Sequence, residues 1–184
     1  MTVDTIIENK LYAIRYPDDD DNIYALFMDR MYDAKWLFDF FANNKNDLEY
    51  FHVDINQAVE DTFEDLDAIE DFIYDEDDID SFFQNLSLNY CESVLQKKKG
   101  KLYRQKHPSW VRLYAIKIEP NIYVITGGAI KLTEKMQDRD HTLRELLNLE
   151  KCRNFLIEHG VIDNDSLIDS QNENKQAQWK QLKN

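Results

Sequence analysis

Residues 110–132 carry two apolar runs, 110–118 (WVRLYAIKI) and 122–132 (IYVITGGAIKL), with only Glu119, Pro120 and Asn121 between them. In the first run Trp110, Arg112, Tyr114, Ile116 and Ile118 alternate with Val111, Leu113, Ala115 and Lys117, which is the period of a β-strand. The link is too short for a crossover, so the two strands must pair antiparallel. Gly127-Gly128 predicts a bend or bulge in the second strand. Thr142 and Glu145 have capping-box spacing. Leu143, Leu146, Leu147, Cys152, Phe155 and Leu156 then mark a helix over 142–158, stopped by Gly160, that should pack across the hairpin.

The first half is written differently. Residues 10–16 read as a strand ended by Pro17, followed by a charged turn at 18–22. Residues 23–27 fit either a returning strand or the start of a helix. Residues 29–43 read as one helix with a wide apolar face. Asp54 and Gln57 cap a second, in which Ile55, Val59, Phe63, Leu66, Ile69 and Ile73 recur at three- and four-residue steps. Its other face is Glu60, Asp61, Glu64, Asp65, Asp67, Glu70 and Asp71, expected to be solvated. A short helix is predicted over 78–86. Residues 96–108 (QKKKGKLYRQKHP) form a basic connector, expected to be exposed. From Ser166 the chain turns polar, and 166–184 is expected to be a flexible tail.

These elements predict an α+β fold: a small antiparallel sheet with packed helices and an acidic helical N-terminal half. One domain is expected over 1–165, comprising an acidic helical segment over 1–95, the connector 96–108, and a strand-strand-helix segment within 109–160. The chain's 184 residues suffice to bury a core without a metal or disulfide. No apolar run approaches the roughly 18 residues of a membrane-spanning helix, so no membrane partner is expected. The N-terminus lacks a basic segment followed by an apolar one, and Cys91 and Cys152 form no disulfide framework; a cytoplasmic location is expected.

Charge divides the chain. Residues 1–92 hold 25 Asp/Glu against 5 Lys/Arg, whereas 93–184 hold 11 against 17, for a net charge of −14. Such a protein repels nucleic acid at long range, so any contact with it must be local. Blocks of like charge are also interaction surfaces. The acidic half can therefore serve a basic partner, which makes a non-catalytic acidic interaction protein, an inhibitor or nucleic-acid mimic, the alternative reading.

No cofactor or metal is expected. Asp18, Asp20, Asn22 and Asp29 have calcium-loop spacing, but Ile23 stands where such a loop needs glycine. The His and Cys residues form no zinc pattern, and there is no phosphate-loop, dinucleotide or nucleophile-elbow motif.

Along 110–156 run Arg112, Lys117, Lys131, Lys135, Arg139, Arg144, Lys151 and Arg153. The sequences Val111-Arg112-Leu113-Tyr114 and Gly128-Ala129-Ile130-Lys131-Leu132-Thr133-Glu134-Lys135, followed by a helix with Glu145, Lys151, Arg153 and Phe155, resemble the RelE/ParE-like toxin superfamily, particularly its phage-associated HigB-like branch. Gly127 stands where the family often has His, and Leu132 replaces a second Lys. Residues 1–95 have no counterpart in such a toxin. The resemblance implies a toxin of a type II toxin–antitoxin system, a ribonuclease acting on mRNA or at the ribosome, neutralised by a small helix-turn-helix antitoxin. RNA or the ribosome would meet the basic 97–153 region. Arg112, Lys131, Lys135 and Arg139 would stabilise the phosphorane-like transition state, and His141 or Tyr123 would move protons.

Overall fold

The computed structural model describes residues 1–86, 95–102, 109–132 and 140–181; at 141, 142 and 174–181 it describes the backbone alone. Among these residues the chain forms strands β1 (Thr2–Ile7) and β2 (Leu11–Arg15). Helices α1 (Ile23–Met31), α2 (Ala34–Asn43), α3 (Lys45–Glu49) and α4 (Ile55–Asp75) follow. Next come a 3-10 turn at Ile79–Ser81 and strands β3 (Phe83–Asn85), β4 (Gln96–Gly100), β5 (Val111–Glu119) and β6 (Ile122–Ile130). Helices α5 (Asp140–Glu158) and α6 (Asn164–Gln181) close the chain.

The α+β class is borne out, and β5 and β6 pair antiparallel across the Pro120-Asn121 turn as expected. The sheet is larger than the hairpin implied. Its six strands lie in the order β1-β2-β6-β5-β4-β3, and β2 runs parallel to β6 through Leu11–Tyr123, Tyr12–Val124 and Ala13–Ile125. Helices cover both faces. Leu11, Ala13, Leu113, Ala115, Tyr123 and Ile125 pack with Phe27, Met31, Leu37, Phe41, Leu66 and Ile69 of α1, α2 and α4. Tyr12, Ile14, Tyr114, Ile116 and Val124 pack on the other face with Leu149, Cys152 and Leu156 of α5 and Leu167 of α6.

Several expectations are corrected. Of the two alternatives for 23–27 the helix is the one formed, over 23–31, because Asn22 caps it by accepting from the Ala25 N–H at 3.0 Å. The single helix over 29–43 is two, because Asp33 interrupts it with extended backbone and caps α2 through the Trp36 N–H at 3.0 Å. Residues 78–86 give only the 3-10 turn and then β3, whose Phe83 pairs with Gly100. The first stretch of the basic connector is strand β4. Its Lys97 bonds Glu150 of α5 at 2.6 Å and its Lys98, 8% exposed, bonds Asn85 at 2.6 Å. The polar tail begins as helix α6, capped by Asp163, which accepts from the Ser166 N–H at 2.8 Å. Its inner face buries Leu167, Ser170 and Gln171, and the Gln171 amide donates to the Val3 carbonyl at 2.8 Å.

Helix α4 follows its expected pattern with two exceptions. Glu60, Glu64, Asp67 and Asp71 are exposed, but Asp61 and Asp65 are buried, Asp61 accepting from Gln57 at 2.8 Å. Like charges crowd the exposed stripe within a screening length of about 10 Å at 0.1 M salt. The melting temperature should therefore rise between low and moderate salt; a fall would show that screening costs more in ion pairs than it relieves.

Candidate functional site

One irregularity in β6 organises the site. Tyr114 pairs with Gly127 but Ala115 pairs with Ile125, so Thr126 is an extra residue, and its hydroxyl donates to the Tyr114 carbonyl at 3.1 Å. Such a bulge exchanges the faces of everything beyond it. Tyr123 and Ile125 point to the α1–α4 side, whereas Gly127 and Ala129 point to the α5 side and Gly128 and Ile130 to the α1 side. Both glycines are required by close neighbours. A Cβ at Gly127 would collide with the Glu145 carboxylate, and one at Gly128 would lie 2.6 Å from the Phe27 ring. Phe27 is 4% exposed and cannot swing away. Gly128→Val should therefore destabilise the fold by about 1–3 kcal/mol, the usual cost of overpacking, measured by urea unfolding; an unchanged midpoint would mean that Phe27 is not fixed there.

The parallel strands β2 and β6 part at their carboxyl ends. From β2 the chain passes to α1 on one face, and α5 after β6 lies on the other. Neighbouring strands whose connections diverge to opposite faces leave a crevice between their helices, the general place for ligands in open sheets. A cleft of about 420 Å³ lies there, floored by Gly128, Ala129 and Ile130, with Arg30, Trp36 and Phe40 on one side and Arg144, Glu145 and Asn148 on the other. Its size suits a small ligand or one nucleotide of a longer one.

Glu145 is the cleft's unusual group. Its Oε2 is buried and has no hydrogen-bond partner among the described residues. Burial pushes its carboxyl up to about 7, against the opposing pull of Arg30 and Arg144. The neighbouring Tyr114 hydroxyl is also buried without a partner among the described residues, and burial raises its pKa. Helix α5 is described from Asp140, so the backbone of Thr142 lies inside it and not at an N-cap, and Glu145 lines the cleft.

The other expected site residues are dispersed. Arg112 lies on the α5 face, 8% exposed, and donates to the carbonyls of Ser109 at 2.8 Å and Val111 at 2.7 Å. Lys131 directly follows the cleft floor, and its N–H donates to the Trp110 carbonyl at 2.9 Å. Tyr123 stands on the opposite face from Arg112 and donates to Asp80 at 2.6 Å, where Lys117 and the Asn121 N–H also bind. Burial and the Asp80 carboxylate raise its pKa, so it is a poor proton carrier. Burial pushes Asp80 upward, but the bonds from Lys117, Tyr123 and Asn121 outweigh it and leave its pKa lowered. His141 is in the first turn of α5, one turn before Glu145. Lys135 and Arg139 lie outside the described residues, as do Thr133, His107 and Cys91.

Two further cations serve the fold. Arg153 donates to the Leu95 carbonyl at 2.9 Å, and Lys151 stands 5.0 Å from the Tyr16 ring centre. The cleft thus draws its described cations from Arg144 and from Arg30, which no sequence pattern singles out. The signal for Glu145 is present in the sequence. It falls four and seven residues before Leu149 and Cys152, on the buried stripe of α5, where an acid is out of place.

The class defined by these features is a mixed sheet between two helical layers, with an acid and two arginines in a cleft at its switch point. No family model, no curated protein and no solved structure matches the chain.

Proposed function

We propose that this protein is a toxin-related, RNA-directed protein that binds a phosphodiester in the cleft between α1 and α5 and cleaves it with Glu145 as general base. The observation that carries this reading is a largely buried carboxyl in one nucleotide-sized cleft, with Arg144 on its own side and Arg30 on the facing side. Phosphodiester cleavage needs a base for the 2′-hydroxyl and cations for the charge that grows on phosphorus. The Glu145 carboxylate takes the 2′ proton, and the 2′ oxygen attacks the adjacent phosphorus. The bond to the 5′ oxygen breaks, leaving a 2′,3′-cyclic phosphate and a 5′-hydroxyl. Arg30 and Arg144 hold the phosphoryl oxygens. His141, one turn earlier on α5, is the candidate donor of the proton that the 5′ oxygen receives. Lys131, which directly follows the cleft floor, would add positive charge beside it. Arg112 supports the site through the 109–111 backbone instead of touching the phosphate.

The test is expression in bacteria. Wild type should arrest growth, and Arg144→Ala, an exposed substitution, should relieve the arrest at equal protein level. Arrest unchanged in Arg144→Ala and Arg30→Ala together would refute the cleft as the toxic site.

A second reading is favoured by the exposed acids of α4, Glu60, Glu64, Asp67 and Asp71. That face would hold a basic cellular partner, as a nucleic-acid mimic does, and capture of that partner would itself slow growth. Arrest that survives the arginine changes but is lost when these four acids become lysines would support a binding protein without catalysis.

A further inference from the structure

The cleft has an aromatic wall that phosphate chemistry does not need. Trp36 and Phe40, one turn apart on α2, stack with ring centres 5.4 Å apart and planes 20° apart. The Arg30 guanidinium stands over the Trp36 ring, 5.8 Å from its centre. All three line the cleft opposite Glu145. Trp36 is only partly buried although it packs against the core, so its indole is shared between core and cleft.

From this wall we infer a nucleobase subsite in which a base enters between the Arg30 guanidinium and the Trp36 indole, so that the protein selects single-stranded over duplex RNA. This rests on the RNA reading above and adds to it what the RNA strand must offer. Two stacking intervals of about 3.4 Å need a gap near 7 Å. Arg30 is exposed on a long side chain, so widening the present 5.8 Å by about 1 Å is a small motion. Arginine and tryptophan planes both stack on bases, and stacking tolerates every base because each has a π face. A paired base presents no free face to such a slot. The Arg30 guanidinium stacks on the base by its face and keeps its N–H edge for the adjacent phosphate, which lies between that edge and Arg144 in a cleft one nucleotide wide. A simple apolar pocket would not place a guanidinium over its ring, and a simple phosphate site would not need the indole.

The experiment measures binding of a short, end-labelled single-stranded RNA and of the same sequence as a duplex, by fluorescence anisotropy, in the Glu145→Gln background so that the RNA stays intact. Trp36→Leu should weaken single-strand binding by roughly tenfold or more, the usual loss of one stacked base. Trp36→Phe, which keeps a ring and the core contact, should fall between. The duplex should bind more weakly than the single strand and be indifferent to both changes. Adenosine 3′-monophosphate should compete for the slot and quench Trp36 emission, which separates a nucleotide subsite from attraction to a long polyanion. Equal single-strand affinity in wild type and Trp36→Leu, or a duplex bound as tightly as the single strand, would overturn the inference. The two readings fail separately. Stacking-dependent binding by a protein that never cleaves would remove the catalytic proposal and keep the subsite. Cleavage with an unchanged KM in Trp36→Leu would do the reverse.

Discussion

Glu145→Gln is expected to lower the rate of RNA cleavage by about 10²–10³-fold, within the usual contribution of a positioned base. Glutamine keeps the volume that meets Gly127 but cannot accept the 2′ proton. The pH profile should identify the lost group. The carboxylate is the active form and its pKa is raised to about 7 by burial. In wild type kcat/KM should climb about tenfold per pH unit below that value and level off above it. In Glu145→Gln the residual rate should lose that limb. A variant that slows cleavage yet keeps the same rise through pH 7 would mean that another group is the base and that Glu145 only shapes the cleft.

The second large effect is on stability. The ordinary carboxyl value for Glu145 is 4.5 and its folded value is about 7. Between these values the folded protein holds a proton that the unfolded chain has lost, so stability falls as pH rises. Below about pH 4.5 both states are protonated and nothing is lost. Above about pH 7 the full cost is present, about 3 kcal/mol at 1.36 kcal/mol per pKa unit. Glu145→Gln cannot ionise. Its stability relative to wild type should improve by about that amount between pH 4 and pH 8 in urea titrations. Any fixed cost of burying the amide is independent of pH, so the slope carries the result. Asp80, whose pKa is lowered, works in the opposite sense: it stabilises above its ordinary 3.8 and loses that contribution as pH falls, equally in both proteins. Parallel curves for wild type and Glu145→Gln would mean that the carboxyl is solvated.

Local pattern makes half of this structure readable. The β5–β6 hairpin, the Asp54 cap of α4 and the Gly160 stop of α5, where glycine has φ +70, are each written in a few adjacent residues. The parallel pairing of Leu11 with Tyr123 is not, because nothing local records a contact across that much chain. That pairing creates the switch point, so the cleft is invisible in the sequence while its pieces are in view. Gly127-Gly128 is legible as a bulge, but not that the bulge turns one glycine to Glu145 and the other to Phe27. Arg112, Lys117, Lys151 and Arg153 look alike as cations of a basic region. The fold engages each with a carbonyl, a carboxylate or a ring and leaves Arg144 to the cleft. Arg30 and Trp36 sit in the acidic half, where neither charge pattern nor family resemblance points to a site.

The most direct measurement is incubation of the purified protein with a single-stranded RNA, and with the same strand carrying 2′-deoxyribose throughout, with and without ribosomes, followed by analysis of the new ends. Attack by the 2′ oxygen under Glu145 predicts cleavage of the RNA alone, with 2′,3′-cyclic phosphate ends, lost in Glu145→Gln. An intact RNA under both conditions, or equal cleavage by Glu145→Gln, would contradict it.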